Sequence, residues 1–101
     1  EREAMKRFAA VFAIAFSQSF AADLPAVYDA KFPNGAMILL HDTAGPCVDG
    51  ARQATWVSPD AKERVPGCFK ADMSSNMVKL AWLDGDSHTI HLNYFKKSAG
   101  L

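Results

Sequence analysis

The 101-residue chain has no surplus of either charge, because 11 Lys and Arg side chains are matched by 11 Asp and Glu. Without a basic excess, no release of counterions drives the chain toward nucleic acid. No basic patch is expected to attract it to an anionic lipid surface either. We therefore expect no nucleic-acid partner.

The signatures of common catalytic classes are scarce as well. No serine lies in a Gly-x-Ser-x-Gly elbow, and glutamate occurs only as Glu1, Glu3 and Glu63. A nucleophilic serine needs such a positioned turn, and a paired-carboxylate hydrolase needs two acids held across a cleft. The sequence predicts a protein that is not an enzyme and that carries no cofactor.

Cysteine is limited to Cys47 and Cys68, and the two do not form the Cys-x-x-Cys pair that many metal and redox sites use. A small exported domain has a thin core and commonly needs a covalent cross-link. We predict a Cys47–Cys68 disulfide, with a cysteine-based metal or redox site as the alternative.

A long hydrophobic run is also missing. The apolar stretch Phe8–Phe16 is far shorter than the roughly 20 residues of a membrane-spanning helix. It follows the positive start Met5–Arg7 and precedes the small residues Ser19 and Ala21, which suit the −3 and −1 positions of a signal-peptidase site. These features predict a signal-peptide helix, with a membrane anchor or an amphipathic core helix as alternatives.

This interpretation divides the chain into two parts. Residues 1–21 form the signal peptide together with the residues upstream of its initiator Met5, and residues 22–101 form the exported domain. The product is expected in the periplasm or outside the cell, with no membrane span after cleavage.

Short apolar runs separated by turn residues fill the exported domain, which is typical of an all-β fold. The stretch Met77–Leu92 predicts a β-hairpin, because Asp84-Gly85-Asp86 between two apolar arms favours a primed turn. Pro66-Gly67 beside a cysteine predicts an edge strand or a bulge. We expect a single domain of about five antiparallel strands, in an SH3-like or strongly curved barrel.

The tip of this hairpin is the candidate contact surface, formed by Asp84, Gly85, Asp86 and Ser87 and joined by Trp56. An Asp-x-Asp cation site is the alternative, but Ca²⁺ prefers six or more oxygen ligands and no further regularly spaced acids follow. The aromatic side chains, Trp56 among them, are expected to fill the core or to form a stacking surface for glycan.

The three histidines are the remaining candidates for chemistry. His88 and His91 are three residues apart, so on a strand they point to opposite faces and do not chelate a metal together. No metal site is predicted. A small metal-dependent or hydrolytic envelope enzyme that uses His41, His88 or His91 is the alternative function.

Several motifs together carry a family resemblance: Cys47, Arg52–Trp56, Gly67–Phe69 and Val78–Asp86. With these the chain resembles a family of small exported proteins of tailed phages and proteobacterial prophages. It departs from that pattern at Ile90-His91, where the family often has Ile-Pro. The resemblance implies a phage or prophage setting and a role in the host envelope, and it carries over no catalytic residue.

Together these observations predict a small phage- or prophage-encoded binding protein of the bacterial envelope. Its expected partner is an envelope protein or a cell-wall component. A virion or lysis accessory protein is a further alternative.

Overall fold

The computed structural model describes residues 24–98, which form seven β-strands and one 3-10 helix. The strands are Tyr28–Lys31 (β1), Met37–Leu40 (β2), Arg52–Val57 (β3), Arg64–Asp72 (β4), Met77–Trp82 (β5), Ser87–His91 (β6) and Lys96–Lys97 (β7). The 3-10 helix Leu92–Tyr94 connects β6 to β7. The predicted all-β class is confirmed, whereas the predicted number of strands was too low. The predicted signal peptide, residues 1–21, lies outside the described residues.

All seven strands belong to one antiparallel sheet with the order β6-β5-β4-β3-β2-β1-β7. Each of the first six strands pairs with its neighbour in sequence, and β7 then returns to pair with β1 through Tyr28 opposite Lys97. This return curls the sheet into a half-barrel, which confirms the predicted strong curvature. Within residues 24–98, no helix has the length and apolar character needed to cross a membrane.

The hydrophobic core fills the inner face of the half-barrel. Strand residues alternate between the two faces of a sheet, so every second residue of β5 points inward. The buried inner residues come from four strands, β1, β2, β3 and β5: Ala30, Ile38, Leu40, Ala54, Val78, Leu80 and Trp82. Phe32, Trp56, Phe69 and Phe95 pack against this cluster while remaining partly exposed. The aromatic side chains therefore contribute to the core and also reach its rim.

The outer face is covered by the loop between β2 and β3, which is fixed by the predicted disulfide. Cys47 in this loop bonds to Cys68 on β4, with a Cα–Cα distance of 5.9 Å. The small side chains of Ala51 and Ala81 surround the bond. Because Cys68 and Trp82 belong to opposite faces of the sheet, the disulfide and the core tryptophan do not pack together.

Strand β4 is an interior strand, so the edge position or bulge predicted from Pro66-Gly67 is wrong. It pairs with β3 on one side and β5 on the other. The Pro66 carbonyl accepts a hydrogen bond of 2.8 Å from the Leu83 N–H, one residue beyond the end of β5. The N–H and C=O of a strand residue point to the same side, so the N–H that proline lacks would face Leu83, just beyond the last β4–β5 pair, and not β3.

Candidate functional site

The β5–β6 hairpin turns at Leu83–Asp86, and its geometry differs from the predicted primed turn. Gly85 is the only residue of this turn with a positive φ, 96°. Its N–H donates to the Trp82 carbonyl at 2.9 Å, and the Asp86 N–H donates to Asp84 Oδ1 at 3.0 Å. This arrangement is a type I turn followed by a left-handed glycine, the usual three-residue hairpin. The glycine supplies the positive φ as predicted, but one position later in the turn.

A cleft of about 230 Å³ opens beside this turn on the inner side of the sheet. Six residues line it: Trp56, Val65, Trp82, Asp84, Asp86 and His88. The strand register explains why they meet, since Trp56 pairs with Val65 and Trp82 pairs with Gly67 two residues further along β4. Residues two apart on a strand share a face, so both indoles lie at the same end of the half-barrel.

Gly67 provides the space for the floor of the cleft. A Cβ atom at this position would collide with the Trp82 ring and with the Ala81 carbonyl oxygen. The absent side chain lets the Trp82 indole lie directly against the β4 backbone, where only 5% of the residue is exposed. The floor is therefore a fixed aromatic surface.

One hydrogen bond orients the imidazole in the wall of the cleft. Trp82 Nε1–H donates to His88 Nδ1 at 2.7 Å. An indole N–H can only donate, so Nδ1 must be the accepting nitrogen of His88. In the neutral ring the proton then resides on Nε2. His88 itself is exposed, so the cleft presents an N–H donor at this position.

His41 and His91 are remote from this cleft. His41 is only 3% exposed and lies on the outer face, where Nδ1–H donates to the Pro25 carbonyl at 2.9 Å and Nε2 lies 2.9 Å from Thr55 Oγ1. His91 Nδ1 accepts from the Asn93 N–H at 3.1 Å, and so caps the 3-10 helix. The structure does not bring the three histidines together. Among residues 24–98, no group of three or more His, Cys, Asp or Glu side chains could hold a metal ion.

The predicted contact residues lie close together in the fold. Asp84, Gly85 and Asp86 are exposed at the tip, Ser87 is half-buried beside them, and Trp56 shares the cleft with the two aspartates. That these residues contact a partner stays a prediction.

His88 was missed as part of this group. The unpaired indole N–H of a core tryptophan was the signal that could have identified it, because such a donor needs an acceptor on the same face.

A second, shallower depression of about 180 Å³ adjoins the cleft. Trp56 and His88 line both, and the second also includes Phe32, Asn34, Ala36, Ile38 and Ile90. We call the two depressions together the Trp56 groove. Asn34 Oδ1 accepts from the Ala36 N–H at 2.9 Å, which leaves the amide NH₂ of this exposed residue as its donor toward the groove.

The charge of the groove is uncompensated within the part of the chain that the structure describes. The one ion pair there joins Arg52 Nη1 to Asp42 Oδ1 at 3.1 Å, and it does not involve a groove residue. Asp84 and Asp86 therefore give the groove a negative end. The carboxyls whose pKa is lowered, Asp60 and Asp72, are held by hydrogen bonds from nearby serine hydroxyls in turns that do not line the groove.

Comparison with known proteins adds no assignment to this site. No family model, no curated protein and no solved structure matches the chain. The resemblance to phage and prophage proteins therefore stays a prediction, and the function is argued from the geometry of the groove.

Proposed function

We propose that this protein is a small exported binding protein of the bacterial envelope, encoded by a phage or prophage. It contacts an envelope protein or a cell-wall component through the Trp56 groove and the adjoining hairpin tip. One observation carries the proposal: an open cleft places two indoles and an imidazole next to two carboxylates that have no cationic partner among the described residues.

The exposure of Trp56 supports binding over a purely structural role. A domain this small has little apolar surface to bury, so each large aromatic side chain is valuable in the core. Trp82 is nearly fully buried, yet Trp56 is only partly buried beside an open cleft. Tryptophan combines a large apolar area with one polar atom and is enriched at contact surfaces for this reason.

The disulfide supports the proposed location. Disulfides persist in oxidising compartments, so the Cys47–Cys68 bond is compatible with a periplasmic or secreted protein. The signal peptide predicted in residues 1–21 gives the route of export. The phage or prophage setting rests on the motif resemblance alone.

Retention on cell envelopes tests the proposal. The folded chain is incubated with purified sacculi and, separately, with solubilised envelope proteins, and the bound fraction is measured. We expect retention that Trp56→Ala removes and Tyr28→Ala preserves. Tyr28 is the matched control because it is 47% exposed and lines a cavity that shares no residue with the groove. No retention, or equal retention of both variants, would contradict the proposal.

A further inference from the structure

We infer that the Trp56 groove binds an uncharged saccharide chain. This inference rests on the proposed function and narrows it to one ligand class. Three properties of the groove lead to it: its shape around an indole, its mixture of hydrogen-bond donors and acceptors, and its negative charge.

The shape indicates an extended ligand. The two depressions, of about 230 and 180 Å³, adjoin at Trp56 and His88. A ligand that occupies both must cross the partly exposed side chain of Trp56. A pyranose ring presents an apolar face of C–H groups, and such a face packs against an aromatic ring while the hydroxyls point outward to polar groups.

The polar groups around the indole match a polyhydroxyl ligand. Asp84 and Asp86 supply acceptors at one end, and the Asn34 amide supplies a donor at the other. His88 Nε2–H adds a donor between them, because Nδ1 already accepts from Trp82. Each sugar hydroxyl both donates and accepts, so it satisfies either kind of group. An ammonium group can only donate, so a lysine-type cation would pair with the two aspartates and make no use of the His88 and Asn34 donors through its charged group.

The negative charge of the groove determines whether a charged or an uncharged saccharide fits it. The carboxylates of Asp84 and Asp86 have no cationic partner among the described residues, so they would repel a uronic acid or a phosphate-bearing chain. A carboxylate accepts strong hydrogen bonds from sugar hydroxyls without needing a countercharge from the ligand. The groove therefore favours an uncharged saccharide chain over an anionic one.

Chemical-shift titration of the isotope-labelled chain tests this assignment. The probes are chitotetraose, cellotetraose and maltotetraose as uncharged saccharides, oligogalacturonate as an anionic one, and Nα-acetyl-lysine amide as an organic cation. The two indole N–H signals, from Trp56 and Trp82, report directly on the groove. We expect saturable shifts at Trp56 with at least one uncharged saccharide, and none with oligogalacturonate or the lysine amide.

Substitutions test whether the saccharide binds at Trp56. Trp56→Ala should weaken the affinity for the saccharide about tenfold, which is the scale of one lost aromatic stack. Tyr28→Ala should leave the affinity unchanged. Trp56→Leu keeps apolar bulk for packing and removes the aromatic face, so it gives the same test if the alanine variant does not fold. Asp84→Asn with Asp86→Asn keeps one acceptor oxygen at each position but loses the charge that strengthens its hydrogen bonds, so it should weaken saccharide binding as well.

The inference is overturned if none of the three uncharged saccharides shifts Trp56, or if the lysine amide does so in their place. It is also overturned if Trp56→Leu and Tyr28→Ala weaken binding equally. Envelope retention separates this failure from that of the proposed function. If retention depends on Trp56 while every saccharide fails, the binding function stands and the ligand class is wrong. If retention fails as well, both are wrong.

Discussion

Removal of the disulfide should cost this domain a large share of its stability. Cys47 and Cys68 are 21 residues apart, and the closed loop contains all of β3 and the first half of β4. In the chain-entropy model, a loop of this size constrains the unfolded chain by about 3.3 kcal/mol. A domain of this length typically unfolds with only about 4–11 kcal/mol. The single covalent bond therefore accounts for roughly a third or more of the total.

The surroundings of the bond determine which substitution isolates this effect. Cys68 is 0% exposed and Cys47 is 6% exposed, so serine at these positions would bury two hydroxyls at an added cost. Alanine removes the sulfurs without introducing polar atoms. The void that remains adds a smaller packing loss to the entropic one, about 1 kcal/mol. For Cys47→Ala with Cys68→Ala we expect a loss of about 3–5 kcal/mol.

Thermal unfolding followed by circular dichroism measures this loss. A loss of 3 kcal/mol corresponds to a fall in Tm of about 12–25 °C for a domain of this size. Val48→Ala is the matched control, because Val48 neighbours Cys47 in the same loop and forms no cross-link. It should lower Tm by only a few degrees. A double alanine variant that melts within about 5 °C of the oxidised wild type, or no lower than Val48→Ala, would refute the reasoning.

Three further perturbations have defined outcomes. His88→Ala removes the acceptor of the Trp82 indole N–H and should cost about 1–2 kcal/mol in urea unfolding, whereas the same change in a Trp82→Phe background should cost clearly less. Gly67→Ala should destabilise the fold by about 1–3 kcal/mol or prevent folding, measured in the same way, because its Cβ collides with the Trp82 ring. The Ser74 hydroxyl lowers the pKa of Asp72, so its contribution is present above the unfolded pKa and is lost as pH falls through the lower folded pKa. The stability difference between wild type and Ser74→Ala should accordingly be constant at neutral pH and vanish in acid, which unfolding at a series of pH values will measure.

The features of the fold that depend on short sequence patterns were predictable. The β5–β6 hairpin follows from an alternating arm on each side of Asp84–Asp86, and the disulfide follows from two cysteines in a small domain. Strand β1 was not counted because its residues have mixed polarity and follow Pro25, and β7 was not counted because it consists of two lysines. Strand β7 pairs with β1 because the whole sheet curls, and no short sequence pattern indicates that curl.

The residues of the candidate site were predictable only in part, again because their arrangement depends on the pairing of strands that are distant in sequence. Trp56 and the tip aspartates were identified as one contact surface, but the cleft that joins them was not, because the register of β3, β4 and β5 decides where they meet. His88 was assigned to a face of its strand correctly, yet its bond to Trp82 depends on where the turn places one arm against the other. Gly85 takes a left-handed conformation after a type I turn, where a primed turn was predicted, and this turn sets the position of β6 along β5.

Strand β4 links the stability of the fold to the geometry of the groove. Gly67 faces inward and seats the Trp82 indole, while the next residue, Cys68, faces outward and carries the disulfide. The covalent bond thus fixes the loop to the back of the same strand that forms the floor of the cleft. Pro66 lies opposite Leu83, where β5 has ended, and its carbonyl accepts from the Leu83 N–H, so β4 stays tied to the start of the turn at this end of the groove. Three adjacent residues that suggest an irregular edge strand in the sequence therefore act in the fold as a rigid base, to which the aromatic floor is attached on one face and the disulfide on the other.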